Sequence, residues 1–130
     1  MEKECVSYEQ AVALKEIGFD GDALKVYSTK WTKLMDEEYA VRYDVDYVLA
    51  PLKQQVFRWF REQYDLHHVV IWDSDTNNFD AGLFGELVTP FLEEDTIFTT
   101  YEEAESACID KLIELAKQQS IIDDTLTKQQ

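Results

Sequence analysis

The stretch APLKQQVFRWFREQYDLHHVVIW, residues 50–72, carries two different periods in succession. Pro51 marks its start, because proline is tolerated at the first helical position, where its missing amide would have no partner. Leu52, Val56, Trp59, Phe60 and Tyr64 then recur at helical spacing, with Phe57 at the margin of the stripe. Lys53, Arg58 and Arg61 fall outside that stripe. The helix should stop near Asp65. From His67 to Trp72 the chain is apolar on both parities, the pattern of a central strand covered on both faces.

Toward the N-terminus, Tyr39, Val41, Tyr43, Val45, Tyr47 and Leu49 share one parity against Ala40, Arg42, Asp44, Asp46 and Val48. A period of two over this length predicts a half-buried strand, with a break near Asp44 to Asp46. Leu24 to Thr29 reads as a further strand. Trp31 to Glu38 stays open between a turn and the polar edge of an extended piece. Ser7-Tyr8-Glu9-Gln10-Ala11 opens a helix over Tyr8 to Ile17, with Ser7 and Gln10 as a capping box. Gly18 supplies the left-handed conformation that ends it, and Phe19 can fold back on it.

Toward the C-terminus, Asp73 to Asp80 is a polar loop whose Asn77-Asn78 pair tolerates the positive φ of a hairpin turn. Leu83 to Thr89 is the expected return strand, ended by Pro90, and Thr96 to Thr99 is a short edge strand. Thr100 caps a last helix, Glu103 closes its box, and Ala104, Cys108, Leu112 and Leu115 form its stripe, widened by Ile109, Ile113 and Ala116. It should run to about Gln118. The resulting expectation is an α+β domain over 1–119, a small mainly antiparallel sheet with three helices packed against one face, followed by a frayed tail over 120–130. If the strand before Pro51 and the strand after Asp65 are adjacent and parallel, their crossover should be right-handed.

The whole chain has 130 residues, of which 45% are hydrophobic and 13% aromatic. That is too apolar for a disordered acidic segment and is one domain's worth of sequence. No apolar run approaches the roughly 20 residues of a membrane span, and Met1 to Val6 lacks the apolar core of a signal peptide. Cys5 and Cys108 make no disulfide framework. A cytoplasmic setting is the expectation.

Charge narrows the function further. There are 27 Asp and Glu against 12 Lys and Arg, for a formal charge of -15. Between Glu62 and Asp110 lie thirteen acidic residues and no Lys or Arg. Such a stretch cannot displace counterions from a phosphate backbone, which argues against direct nucleic-acid binding, and it is repelled by an anionic membrane. Two readings of the acidity remain: solubility through self-repulsion, or a docking face for a basic partner, including a mimic of nucleic acid.

Three blocks carry a resemblance. They are Ser7 to Ala11 continuing through Leu14-Lys15-Glu16-Ile17-Gly18-Phe19, then Leu49-Ala50-Pro51 with Gln54-Gln55 and Phe57-Arg58-Trp59-Phe60-Arg61-Glu62, and finally Tyr101 to Glu105 with Ala107-Cys108 and Lys111-Leu112-Ile113-Glu114. Their order and spacing resemble a family of small uncharacterised proteins of gut anaerobic bacteria and their phages and mobile elements. The resemblance implies a host setting and assigns no catalytic residue.

The chemistry-bearing residues are sparse. Asp73-Ser74-Asp75-Thr76-Asn77 has the D-x-D-x-N opening of a calcium loop, but Asn78 stands where glycine is needed and Phe84 where the closing glutamate belongs. A hairpin loop is the better reading. His67 and His68 are adjacent, so on a strand they point to opposite faces, and no Cys or His spacing supports zinc. Cys108 lies on a buried stripe, whereas Cys5 precedes the first cap and is expected nearer solvent. Glu102 and Glu103 should face solvent. Tyr39, Tyr43 and Tyr47 read as packing beneath a helix, without the basic neighbours that base stacking requires.

No catalytic, cofactor or metal site is therefore expected. The expected function is that of a non-enzymatic interaction or accessory protein of a phage or mobile element, docking a basic protein surface, with a nucleic-acid mimic or inhibitor as its narrower form. The candidate partner-binding residues are Asp73, Asp75, Asp80, Glu86, Glu93, Glu94 and Asp95. The alternative is a small metal-dependent or hydrolytic enzyme using His67, His68, Asp73 and Asp75, which requires a concave pocket that joins them.

Overall fold

In a computed structural model, residues 4–85 and 98–128 are described, with side chains as far as Gln119. The class is α+β, with four helices and two small antiparallel sheets among the described residues in place of one sheet under three helices. The chain forms two compact units, Met1–His67 and His68–Gln130.

The first unit opens with helix α1 (Tyr8–Glu16). Its capping box is complete: Gln10 N–H donates to Ser7 Oγ at 3.1 Å and Ser7 N–H donates to Gln10 Oε1 at 3.0 Å. Its other end is a full Schellman turn. Gly18 takes φ +87°, Phe19 N–H reaches Leu14 O at 3.0 Å, and Gly18 N–H reaches Lys15 O at 3.1 Å. Strand β1 (Lys25–Ser28) is the centre of a three-stranded sheet, between β2 (Leu34–Asp36) and β3 (Tyr47–Leu49). Val26 pairs with Met35 on one side and Leu49 on the other. Buried Ser28 closes the β1–β2 hairpin, its Oγ accepting Lys33 N–H at 3.2 Å.

The long strand expected over Tyr39 to Leu49 is replaced by helix α2 (Glu37–Arg42), a turn, and only three residues of β3. Positions 39 and 43 satisfy both a period of two and the i, i+4 of a helix, and their rings do pack, 4.6 Å apart. Glu37 and Glu38 in the first turn favour the helix end where amides are unpaired. Asp44 at φ +53° then ends it, with Val45 N–H on Ala40 O at 2.9 Å. The break anticipated near Asp44 is therefore real, but what precedes it is helical.

Helix α3 (Lys53–Tyr64) stops as predicted at Asp65, which adopts φ +52°, but it starts two residues later than expected, because Pro51 lies ahead of it with its carbonyl taken by Val6 N–H. Leu52 precedes it with no side-chain acceptor, so other groups serve its start. Gln55 Oε1 accepts Leu52 N–H at 2.8 Å, and the Glu4 carbonyl accepts Lys53 N–H at 2.8 Å. A short antiparallel bridge between Cys5 and Leu52, with Val6 N–H on Pro51 O, holds that N-terminal segment in place. Cys5 is consequently buried, contrary to expectation, and so is Lys53. Trp59 receives Phe19 at 5.2 Å and donates its Nε1–H to Asp20 Oδ1 at 2.7 Å. The Schellman turn of α1 thus delivers two consecutive residues to the indole.

The second unit is a hairpin of β4 (His67–Asp73) and β5 (Asn78–Phe84) with one long helix, α4 (Tyr101–Lys128). Strand β4 is not a central strand. Among the described residues its only neighbour is β5, and it lies in a different sheet from β3, so no parallel crossover joins those two. Helix α4 buries Ala104, Cys108, Ile109, Leu112, Ile113 and Ala116. It passes the expected end near Gln118 and takes in most of the segment read as a tail. The physical reason is that no Gly or Pro interrupts 104–128. The return strand occupies Asn78–Phe84 in place of Leu83 to Thr89, so it starts inside the expected loop and shares only residues 83 and 84 with the expectation; Glu86 to Ile97, including Pro90, lie outside the described residues.

Candidate partner-binding face

The β4–β5 hairpin is where the sequence concentrates both acid and aromatic residues, and its local chemistry explains its shape. Asn77 takes φ +62°, with its N–H on Asp73 O at 2.8 Å. Asp73 Oδ1 accepts Asp75 N–H at 2.9 Å, and Asn78 Nδ2–H donates to Thr76 O at 2.9 Å. The D-x-D-x-N segment is thus the hairpin loop expected, its first carboxylate engaged in shaping the turn.

The two faces of this hairpin differ. Trp72 and Phe79 rings stand 4.9 Å apart, edge to face, and Phe79 and Tyr101 follow at 5.9 Å. Residues 72 and 79 therefore share a face, and with Ala81 and Leu83, which are buried, they lie on the side that meets α4. By the same alternation Ile71, Asp73, Asp80 and Phe84 share the opposite face. Among the described residues of the unit, four large apolar side chains remain in water: Trp72 is 49% exposed, Ile71 47%, Phe84 45% and Tyr101 43%. Two of the predicted partner-binding residues, Asp73 and Asp80, thus share a face with Ile71 and Phe84, with Asp75 exposed in the adjoining loop. Glu86, Glu93, Glu94 and Asp95 lie outside the described residues. The apolar half of this face escaped the sequence reading, because treating β4 as central hid Ile71 and Trp72.

On α4, Glu102, Glu103, Asp110 and Glu114 are exposed, while Glu105 is buried. Thr100 Oγ1 accepts Glu103 N–H at 3.1 Å, as predicted, and the Glu103 carboxylate accepts from Thr99 Oγ1 at 3.3 Å. Cys108 is fully buried and its thiol lies 4.0 Å from the Gly82 carbonyl. Burial pushes that thiol up to about 12, so it is a packing residue and not a nucleophile.

The enzyme alternative needs its four residues together, and they are not. His67 and His68 begin β4; Asp73 ends it, about 17 Å beyond His68 at the usual strand rise. His67 Nε2 is 2.9 Å from Asp65 Oδ1. Two hollows lined by described residues of the first unit include none of the four. One is an apolar cavity of about 170 Å³ between Leu14, Phe19 and Val48; the other is an open notch beside Tyr39, Arg42 and Tyr43. Among the described residues no three His, Cys, Asp or Glu side chains gather as metal ligands, and no helix is long and apolar enough to cross a membrane. No family model, curated protein or solved structure matches the chain.

Proposed function

We propose that this chain is a non-enzymatic interaction protein, acting in the cytoplasm of a bacterial host as an accessory of a phage or mobile element, and that it docks a basic protein surface through its second unit. One observation carries the reading: charge and exposed apolar surface coincide there. Residues 68–130 hold fourteen acidic against three basic residues, a net -11, whereas residues 1–67 hold thirteen against nine, a net -4. Solubility alone asks for charge spread over the surface. Acid surrounding exposed aromatics is instead the composition of a recognition patch, an apolar centre in a charged rim.

A protein surface is favoured over a strict nucleic-acid mimic. Glu103, Asp110 and Glu114 fall on one side of α4, but at rises of about 10 and 6 Å, which is not the even spacing of phosphates. Lys111 also pairs with Glu114 at 3.3 Å.

The test is capture of host and phage proteins on immobilised chain at low and at high salt. Basic partners retained at low ionic strength and released at high support the proposal, since exposed charges are screened beyond about 10 Å at 0.1 M. Failure to retain any partner at low salt sinks it.

A further inference from the structure

The geometry points to the outer edge of β4 as a strand-pairing site that takes an extended, lysine- or arginine-bearing segment of the partner. This inference rests on the docking reading above and names the contact by which docking is made.

The two edges of the hairpin are not equivalent. The outer side of β5 is engaged at Phe79, which exchanges two backbone hydrogen bonds with Phe98, at 2.8 and 3.0 Å. Among the described residues β4 has no partner on its outer side. It is seven residues long, runs Val69-Val70-Ile71-Trp72 through its middle, and contains no Pro, Gly or Lys. Those are the residues with which proteins ordinarily blunt an edge, and a long apolar edge without them is a template for another strand. Ile71 and Trp72 are both about half exposed and point to opposite faces, so an added strand would find apolar surface on either side.

Charge selects the occupant. A second copy would set one net -11 unit against another, and no Lys or Arg between Glu62 and Asp110 could offset the repulsion. A basic strand meets a complementary surface on both faces. Its alternate side chains would pass the Trp72 ring on one side, a cation–π geometry, and Asp73 and Asp80 on the other. Backbone pairing supplies affinity in such a complex, and the alternating side chains supply choice.

The test uses the full chain and a synthetic ten-residue peptide of alternating Lys and Val, beside the same peptide N-methylated at every residue. Methylation keeps the charge but removes the backbone donors from both edges of the peptide. The unmethylated peptide should bind at least tenfold more tightly and slow hydrogen exchange of the amides in 68–73. Ile71→Lys, at a half-exposed position, should weaken it at least tenfold while leaving the circular dichroism spectrum unchanged. Equal binding of both peptides overturns the edge site yet leaves electrostatic docking standing. No binding of either at low salt overturns both. A dimer of the free chain in sedimentation, with exchange slowed over 68–73, assigns the edge to a second copy and overturns the basic strand.

Discussion

The first unit keeps its edge strands to three residues and sets a cation against exposed Trp31; among the described residues the second does neither. In the first, β2 is three residues long and ends on Asp36, paired with Lys25, and β3 lies against α1. Exposed Trp31 has its own cation, the Lys30 ammonium 5.1 Å from the ring centre. In the second, β4 is seven residues long with no strand on its outer side among the described residues, and Trp72 stands in a stretch without a single Lys or Arg. Both units close a core with the same devices, an N-cap and an apolar helical stripe. That difference in edge length and in nearby cations is what the proposed docking of a basic strand rests on.

The largest effect should come from the junction that makes the first unit self-sufficient. Trp59→Ala removes a buried indole, the Phe19 contact and the Asp20 hydrogen bond, and should cost about 3–5 kcal/mol. Denaturant titration would check it, and a loss below 1 kcal/mol would mean the first unit is not organised around that ring.

The second unit should show its own signature at alkaline pH. The Cys108 thiol is raised from 9.0 to about 12 by burial, opposed by a backbone hydrogen bond of Gly82 and assisted by Glu105. Between those values the folded chain keeps a proton that the unfolded chain has lost, so stability should fall as pH rises through about 9 to 12. Below pH 9 this contribution is fully present. Cys108→Ala should flatten that slope in pH-dependent melts. In the native protein at pH 8, alkylation of Cys108 should be slowed by roughly a thousandfold relative to an ordinary thiol.

Smaller effects compare matched positions. Ser7→Ala and Thr100→Ala each remove a hydroxyl that accepts an N3 amide, at 3.1 Å in both helices. Each should cost about 1 kcal/mol by thermal melting. A clearly larger cost at Ser7, whose box is reciprocal, would sharpen the contrast between the units. The smallest stability effect is expected at the open face: Trp72→Ala should stay within about 0.5–1 kcal/mol, yet abolish most partner retention in the salt-dependent capture. Retention unchanged in that variant would confine docking to carboxylates.

Local backbone chemistry was the most legible part of the sequence. Ser7 with Gln10, Gly18 before Phe19, Asp65 after Tyr64 and Asn77 in its loop each have one dominant way to satisfy nearby amides and carbonyls, and each is found doing so. What failed were readings that depended on distant packing. Tyr39 and Tyr43 fit two periods equally, and only the acidic first turn and the buried Ala40 decide for helix. Val69 to Trp72 looks central because apolar content cannot distinguish a strand covered on both faces from one left open. Cys5 is buried only because Glu4 to Val6 finds residues 51–53. At the candidate face the carboxylates were visible as charge, whereas the exposed apolar residues beside them became visible only once β4 had a single neighbour.

That N-terminal clasp also bears on biosynthesis. Glu4 and Val6 leave the ribosome ahead of their hydrogen-bonding counterparts, Lys53 and Pro51, which follow some fifty residues later. At about 5–20 residues per second, this leaves the nascent segment waiting on the order of 2–10 s, longer still while the later residues clear the exit tunnel. During that interval the Cys5 thiol is open to solvent, so a pulse of thiol label on stalled nascent chains would time the closing of the first unit.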